Sequence, residues 1–439
     1  MSYSAWPRLS EIYRALATGE IELIGWGAGH QMRQHYLTDP CPMRYIIDSD
    51  PSRMGTRFLG RDVRPPQALL GEAPDTVAVM VGPTRTARIA IAEQIGALGP
   101  YDIITPFNAE LAERFCLTLD RVDATAARKR QATSTNGIVV QGAYDPEATP
   151  TVLKILATHY PEDWIVWSTW EDTPAGTLKA MERWCDGVVL SRRPPYAGNA
   201  NINLQRRTVL AGLEWLQGRG VKLVMKVRSD AAPLSRDLFA RAQTLFQTAT
   251  PPAPKRGLKR RIIVSHLHSL LHIPLNISDI MHMGDIEDLQ RLWSFPEDST
   301  PIVDLGTLPM LVLALADYAA TKTTGETIIG HQLAALLGLE VDYSLQQHFE
   351  IVRDALIVPD PSWFDIFKSK YNVGHNSLFI RTAKRPKTQI DFEVWEGLQR
   401  RDPAYDEALM GGVDVGQTTV LDLQFGERGA AARIATAGR

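Results

Sequence analysis

Residues Asn199 to Asp230 read NANINLQRRTVLAGLEWLQGRGVKLVMKVRSD and join a predicted helix to a predicted buried strand. The helix begins among amide and arginine side chains and runs from about Gln205 to Leu216. The apolar strand that follows stops abruptly at Arg228-Ser229-Asp230. A carboxylate at the end of a buried strand is well placed to hold a divalent metal bound to a diphosphate, so Asp230 is the predicted ligand of Mg²⁺ or Mn²⁺.

Strands and helices alternate on the N-terminal side of this stretch. GIVVQG ends at Gly142, WIVWSTW ends at Trp170 and DGVVLS ends at Ser191, with helical spacing between them. This alternation predicts an α/β unit with a parallel sheet. Trp170 ends its strand next to Glu171, where the indole ring could stack on a base or a sugar.

A separate α/β unit precedes this one. Its first strand leads to GWGAG, which contains Gly25, Gly27 and Gly29, and its second strand ends at Asp48. Glycines in such a turn allow a phosphate to approach a helix start, and Asp48 lies where a ribose-binding acid is expected. His30 breaks the G-x-G-x-x-G spacing, so the glycines predict either an unidentified nucleotide site or only strand-to-helix geometry.

Five ordered pieces of the second unit resemble the WavE family of lipopolysaccharide-synthesis proteins, which look like GT-A glycosyltransferases. They are IVVQG (138–142), STWE (168–171), NINLQRRT (201–208), KVRSD (226–230) and NISDIMHMGD (276–285). The resemblance spans about residues 137–298 and implies a GT-A-like fold that uses a nucleotide-sugar donor. It does not cover the N-terminal unit.

The resemblance implies a role for each matching position. Gln141, Gly142 and Glu171 would lie beside the nucleotide, whereas Asn203, Gln205 and Arg206 would face the sugar and the diphosphate. Asp230 would bind the metal or the donor. Arg228, where Asp-x-Asp proteins have an acid, would supply positive charge. Asp279 would deprotonate an acceptor hydroxyl or help to hold the donor.

Five of these residues also have a structural interpretation. Asp230 could cap a turn and Asp279 a helix, Glu171 could be a loop acid, and Asn203 and Gln205 could be solvated helix amides. Glu326, in TTGETIIGHQL, is either a second catalytic carboxylate at the acceptor site or an acid in the first turn of a helix.

The predicted fold class is α/β, with an N-terminal Rossmann-like doubly wound sheet followed by a GT-A-like nucleotide-diphospho-sugar transferase domain. The predicted boundaries are residues 1–117 for the first domain, 118–135 for a linker and 136–395 for the second domain. Residues 396–439 are predicted to be a partly disordered tail, since their last stretch has few large apolar side chains.

Composition and charge restrict the class of protein further. The chain has 439 residues, 44% hydrophobic and 22% charged, with a net charge of −3, so no strong field draws it to nucleic acid. Its three cysteines and the absence of a signal-peptide pattern at Met1 favour the cytoplasm. A basic run at residues 255–261 is either a solvated loop or a site of peripheral contact with the inner face of a membrane or with a phosphorylated lipid-linked acceptor.

Three functions therefore remain open from the sequence. The first is a glycosyltransferase of lipopolysaccharide or capsule synthesis, acting on a nucleotide-sugar donor and a glycan or lipid-linked acceptor. The second is an NAD(P)-dependent oxidoreductase or sugar-nucleotide-modifying enzyme centred on the N-terminal turn. The third is a non-catalytic nucleotide- or glycan-binding protein, favoured by Arg228 in place of the first acid.

Overall fold

A computed structural model gives the fold of most of the chain. The structure describes residues 6–29, 32, 33, 36, 41–82, 85–104, 109–124, 132–146, 148–248, 257–266, 268–299, 312–369, 377–379, 389–420, 422 and 423. The C-terminal stretch GERGAAARIATAGR lies outside the described residues.

The N-terminal part forms a six-stranded sheet. Its strands are β1 Glu22–Trp26, β2 Ile46–Ile47, β3 Arg57–Phe58, β4 Arg61–Arg64, β5 Val77–Val81 and β6 Asp102–Ile104. The order is β3-β4-β2-β1-β5-β6, and all neighbours are parallel except the β3–β4 pair. The apolar run of β5 is buried along its whole length, which is typical of an interior strand in a parallel sheet.

The longer helices described beside this sheet are α1 Trp6–Thr18, α2 Arg85–Leu98 and α3 Ala109–Ala124. Helix α3 continues through residue 118, so the predicted boundary between the first domain and the linker falls inside a helix. The β3–β4 hairpin was not predicted, because its strands are short and largely exposed and carry no continuous apolar pattern.

A seven-stranded sheet forms the centre of the second part. Its strands are β7 Asn136–Gln141, β8 Trp164–Trp170, β9 Gly187–Ser191, β10 Leu223–Arg228, β12 Ile262–Val264, β13 His282–Asp285 and β14 Leu356–Ile357. They lie in the order β14-β12-β13-β10-β7-β8-β9, and β13 is antiparallel to both of its neighbours. A small antiparallel sheet contains β11 Ala231–Pro233, β15 Ile366–Ser369 and β16 Ser377–Phe379.

The helices of this part connect the strands and extend to the C-terminal side. They are α4 Thr149–His159, α5 Ala175–Met181, α6 Ile202–Gln217, α7 Leu238–Thr248, α8 Ile286–Trp293, α9 Leu315–Ala320, α10 Gly325–Leu336, α11 Leu345–Ala355, α12 Pro361–Phe364, α13 Phe392–Gln399 and α14 Pro403–Met410. The two mixed sheets with interspersed helices confirm the predicted α/β class and are consistent with Rossmann-like and GT-A-like folds.

Helix α6 packs closely on the sheet because it carries a glycine at the contact. A Cβ at Gly212 would lie 2.6 Å from Cγ1 of Val139 in β7 and 3.4 Å from Cβ of Ser168 in β8. Gln205 lies seven residues earlier on α6, about two helical turns, and therefore on the same sheet-facing side.

The segment predicted as a C-terminal tail is folded at its start. Helix α14 lies within it, and Asp406 on that helix is buried in an ion pair with Arg353 of α11. An acid and a base distant in sequence form this contact, so composition alone did not predict it.

Candidate functional site

The order of strands reverses between β7 and β10. From β7 the chain proceeds outward through β8 and β9 on one side, and it then returns to place β10 on the other side of β7. In open α/β sheets, ligands bind outside the carboxyl ends of the strands at such a switch point. Gln141 and Arg228 end the two strands and are neighbours in register.

The two strand ends are joined by backbone contacts after Gly142. Gly142 has a φ of +125°, and a Cβ on it would lie 2.7 Å from Oγ of Ser229. The Ser229 amide donates to the Gln141 carbonyl at 2.8 Å, and its hydroxyl donates to the Ala143 carbonyl at 2.7 Å. Only glycine fits this close approach, which leaves peptide backbone rather than a side chain at the switch point.

Arg228 and Asp230 form a two-pronged ion pair at this edge. Nε of Arg228 donates to Oδ1 of Asp230 at 2.7 Å, and a terminal guanidinium nitrogen donates to Oδ2 at 2.9 Å. The side chains are 21% and 16% exposed, respectively, so the pair is partly open to solvent.

This donor set does not fit the predicted metal site. Both carboxylate oxygens of Asp230 already accept hydrogen bonds from the Arg228 guanidinium. The positive charge of this guanidinium would also repel a metal ion. The part of the chain that the structure describes has no group of three or more His, Cys, Asp or Glu side chains that could hold a metal by themselves, so a metal here would have to be held by Asp230 and the diphosphate.

Three buried polar atoms near the strand ends have no hydrogen-bond partner among the described residues. They are Oε1 of Gln141, Oγ of Ser168 and Oε1 of Gln205. Gln141 and Ser168 are register neighbours on β7 and β8, and α6 covers Ser168 and carries Gln205. Because buried polar groups are almost always hydrogen-bonded, these atoms make the space between the strand ends and α6 a candidate site for a polar ligand.

Asp279 is held beside Gln205 in the loop before β13. Nε2 of Gln205 donates to Oδ2 of Asp279 at 2.7 Å, and Asp279 is only 6% exposed. A Cβ at Gly325 would lie 3.0 Å from the same oxygen, so the first turn of α10 lies against this carboxylate. The positive end of the dipole of that helix lies beside the Asp279 carboxylate. Asp279 is therefore not a helix cap, since β13 follows it.

Lys226 lies beneath Asp279, and sequence reasoning did not single it out. It is fully buried in β10, and its ammonium donates to the main-chain carbonyls of Asp279 and Ile280. The ammonium also lies 4.8 Å from the centroid of the Trp293 ring. The one available signal was a lysine in the middle of the apolar run VKLVMKVRSD.

His282 faces Lys226 across the β10–β13 pair and is neutral. Its Nε2 donates to the Ser278 carbonyl at 2.6 Å, and its Nδ1 accepts from Nε1 of Trp293 at 3.2 Å. Burial first, and then the charge of Lys226, lower the pKa of His282 to about 3.

Asn203 and Arg206 form hydrogen bonds with loops of the protein and not with the ends of β7 and β10. The Asn203 amide nitrogen donates to the carbonyls of Tyr196 (3.1 Å) and Asp298 (2.7 Å), and its oxygen accepts from the Asp298 amide at 2.7 Å. Nε of Arg206 donates to the Phe295 carbonyl at 2.5 Å. These contacts fix the loops around the start of α6, which is a structural role for both residues.

Trp170 and Glu171 end β8 in different environments. Trp170 is 3% exposed, and the Arg193 guanidinium lies 4.9 Å from its ring centroid, so its ring is covered by protein. Glu171 is exposed, and its amide donates to the Ser191 carbonyl at 3.1 Å.

Glu326 lies in the first turn of α10, next to Gly325, and is half-buried. Its carbonyl accepts from the Ile277 amide at 3.2 Å, which ties the start of α10 to the Asp279 loop. Burial first, and then the negative charge of Glu326, raise the pKa of Tyr318 to about 12.

The N-terminal glycine turn is stabilised by its own side chains. Gly27 has a φ of +102°, and a Cβ on Gly25 would lie 2.7 Å from Sδ of Met43. A carboxylate oxygen of Asp48 accepts from the Ala28 amide at 2.7 Å, and Arg53 donates to the Ala28 carbonyl at 2.6 Å. Gly29 has open space at the Cβ position apart from ordinary contact with Arg53. A nucleotide on this turn stays a prediction.

Some of the basic side chains of residues 255–261 are engaged in contacts within the protein. Arg261 is only 5% exposed, and Nζ of Lys259 lies 2.6 Å from a carboxylate oxygen of Glu287. Lys255 and Arg256 lie outside the described residues, so the predicted membrane contact of this run stays a prediction. Across the described chain, no helix has both the length and the apolar character that a bilayer span requires.

Comparison with known families gives one match. Residues 137–322 match a family model described as WavE lipopolysaccharide synthesis, which confirms the resemblance predicted for residues 137–298 and extends it. No curated protein matches the chain. The matched family is one of lipopolysaccharide synthesis, and the matched region includes the switch point, Asp279 and the whole of α9 but not the N-terminal sheet.

Proposed function

Starting from the WavE match over residues 137–322, we propose that this protein is a glycosyltransferase of lipopolysaccharide synthesis. It transfers a sugar from a nucleotide-sugar donor to a hydroxyl of a glycan or lipid-linked acceptor. The observation that carries the proposal is the switch point between β7 and β10, where buried polar atoms without partners among the described residues and the Arg228–Asp230 ion pair lie within the matched region.

The donor is proposed to lie across the ends of β7 and β10. Gln141 and Ser168 offer buried polar atoms to the nucleotide or sugar, and Gly142 lets the ligand approach the backbone. Arg228 offers the positive charge that a departing nucleoside diphosphate requires. Trp170 and Glu171 border this edge.

Asp279 is the proposed base, and Gln205 is its positioning residue. The acceptor hydroxyl gives its proton to the Asp279 carboxylate while its oxygen attacks the anomeric carbon of the donor sugar. The bond from that carbon to the diphosphate oxygen breaks, and the electron pair leaves with the nucleoside diphosphate. The Gln205 amide fixes the carboxylate, which is close to the positive end of α10. Glu326, in the first turn of the same helix, is proposed as a second catalytic carboxylate beside Asp279.

The experiment is a screen of UDP-, GDP- and CMP-sugars with the purified full chain, with and without lipopolysaccharide-derived acceptors. Release of the nucleotide is measured for the wild type, Asp279→Asn and Asp317→Asn. Asp317 is an exposed acid on α9 and serves as the matched control.

We expect one donor class to be cleaved, with Asp279→Asn slower by about 100-fold or more and Asp317→Asn unchanged. Failure to cleave any donor, together with binding of NAD alone, would contradict the proposal and favour the oxidoreductase hypothesis.

A further inference from the structure

We infer that Arg228, oriented by Asp230, is the cation that binds the diphosphate of the donor, and that this site binds the diphosphate without a divalent metal. The inference rests on the proposed function and specifies the chemistry of its donor site. Asp230 is assigned as a positioning residue rather than a metal ligand.

The position of Arg228 supports this assignment. It is the last residue of β10 and lies beside Gln141, the last residue of β7, on the two strands that flank the switch point. Val227 before it is fully buried, whereas the Arg228 side chain is 21% exposed and so is accessible to a ligand at the edge.

The ion pair itself argues against metal binding by Asp230. A metal would have to displace a guanidinium that donates to both carboxylate oxygens, and it would then lie next to that displaced positive charge. By contrast, an anion that approaches Arg228 does not require the Asp230 carboxylate to leave its partner.

The guanidinium also has the right chemistry for a diphosphate. Its planar array of N–H donors matches phosphate oxygens, and its charge does not depend on pH in the physiological range. Asp230 engages Nε and one terminal nitrogen and thereby fixes the plane of the group. Since Arg228 is held before the ligand arrives, less conformational freedom is lost on binding.

A purely structural ion pair and a metal site are the two alternatives. In a metal site, Asp230→Asn removes a ligand and abolishes nucleotide binding. In the arrangement inferred here, Asp230→Asn leaves the guanidinium charge in place, so binding persists while the alignment of the diphosphate suffers. In a structural pair, neither side chain affects binding beyond its effect on folding.

The experiment is isothermal titration calorimetry of the full chain with UDP, GDP and CMP, first in EDTA and then with Mn²⁺. The variants are Arg228→Gln, Arg228→Lys, Asp230→Asn and the control Arg219→Gln. Arg219 is exposed and precedes the amino end of β10, so the control removes the same charge from the opposite edge. Thermal unfolding of each variant confirms that it is folded.

We expect UDP or GDP to bind in EDTA with an affinity that Mn²⁺ does not change. Arg228→Gln weakens this binding by about tenfold or more, Arg228→Lys weakens it less, and Arg219→Gln leaves it unchanged. Asp230→Asn retains binding but lowers kcat for donor cleavage, which a merely structural role would not do in a variant that is folded and saturated with donor.

Other outcomes separate this inference from the proposed function. Diphosphate binding that requires Mn²⁺ and is lost in Asp230→Asn overturns the inference and leaves the transferase standing. Binding that is indifferent to Arg228→Gln, or binding of CMP alone, does the same. If the folded wild type binds none of these nucleotides in either buffer, the proposed function fails and the inference fails with it.

Discussion

Lys226 occupies the middle of β10 with its ammonium fully buried beneath the Asp279 loop. The carbonyls of Asp279 and Ile280 accept its hydrogen bonds, and the Trp293 ring lies beside it. A buried ammonium is stable only when such partners compensate for lost hydration. Lys226 therefore fixes the main chain of the loop that carries the proposed base.

Replacing Lys226 tests this role. We expect Lys226→Met to lower the free energy of unfolding by about 2–3 kcal/mol, because the Asp279 and Ile280 carbonyls lose a charged donor while they stay buried. Lys222→Met, at an exposed position just before β10, should change it by less than about 0.5 kcal/mol. Urea unfolding measures both, and equal effects of the two changes would argue against the role.

Among single residues, the sequence predicted some candidates better than others. Gln205 and Asp279 meet, as expected of two residues in one site, although they are 74 positions apart. The contacts of Asn203 with Asp298 could not be predicted, since they depend on a loop packing against the start of α6. The two-pronged ion pair between Arg228 and Asp230 could not be predicted either, because the spacing of residues in a sequence does not determine side-chain conformation.

The junction between the ends of the parallel neighbours β7 and β10 is the element on which the site depends. Gly142 allows the chain to leave β7 next to Ser229, and the Ser229 hydroxyl then binds the Ala143 carbonyl. A side chain at residue 142 would be strained by its positive φ and would press on Ser229.

We expect Gly142→Ala to lower the free energy of unfolding by about 1–3 kcal/mol and to weaken nucleotide binding at the same edge. Gly176→Ala is the matched control, since Gly176 lies in α5 with open space around its Cβ position; its stability should stay within about 1 kcal/mol of the wild type. Circular dichroism melts with and without UDP or GDP provide the comparison. A stable Gly142→Ala protein that binds normally would contradict the predicted close approach.

Long elements were easier to predict than their ends. The apolar run of β10 and the helical spacing of α6 carry strong local signals, and both elements form. The helix α6 begins at Ile202, whereas the sequence predicted a start at about Gln205. Ala200 and Asn201 have left-handed backbone conformations that turn the chain directly into the helix. Short strands such as β14 are set by their neighbours in the sheet and have little pattern of their own.

At the scale of the whole molecule, two sheets each place a switch point at the carboxyl ends of their strands. In the N-terminal sheet, the turn at Gly27 is satisfied by Asp48 and Arg53. In the second sheet, polar atoms of Gln141, Ser168 and Gln205 lack partners among the described residues. This difference makes the second sheet the better candidate for a ligand, a distinction that no glycine pattern in the sequence could supply.

Buried histidines should make the whole protein sensitive to acid. Burial is the main cause that lowers the pKa of several described histidines, to about 3 for His282 and to about 4 for His159, His266, His331 and His348. In the unfolded chain their pKa is about 6.5. As the pH falls below 6.5, the unfolded state takes up protons that the folded state does not.

The free energy of unfolding should therefore decrease from about pH 6.5 towards pH 4, by up to about 1.4 kcal/mol per pH unit for each such histidine. Urea unfolding at intervals between pH 7.5 and 5 measures the slope, and His282→Asn should reduce it by about one proton. A stability that is flat over this range would show that these rings are protonated in the folded protein.

Hydrogen–deuterium exchange with and without UDP or GDP tests most directly where the donor binds. We predict slower exchange in peptides that cover Gln141 to Thr149 and Arg228 to Ser235, on the two sides of the β7–β10 switch point. Slower exchange confined to peptides that cover Gly25 to Gly29 and Ile46 to Asp50 would contradict the account and place the nucleotide on the N-terminal turn.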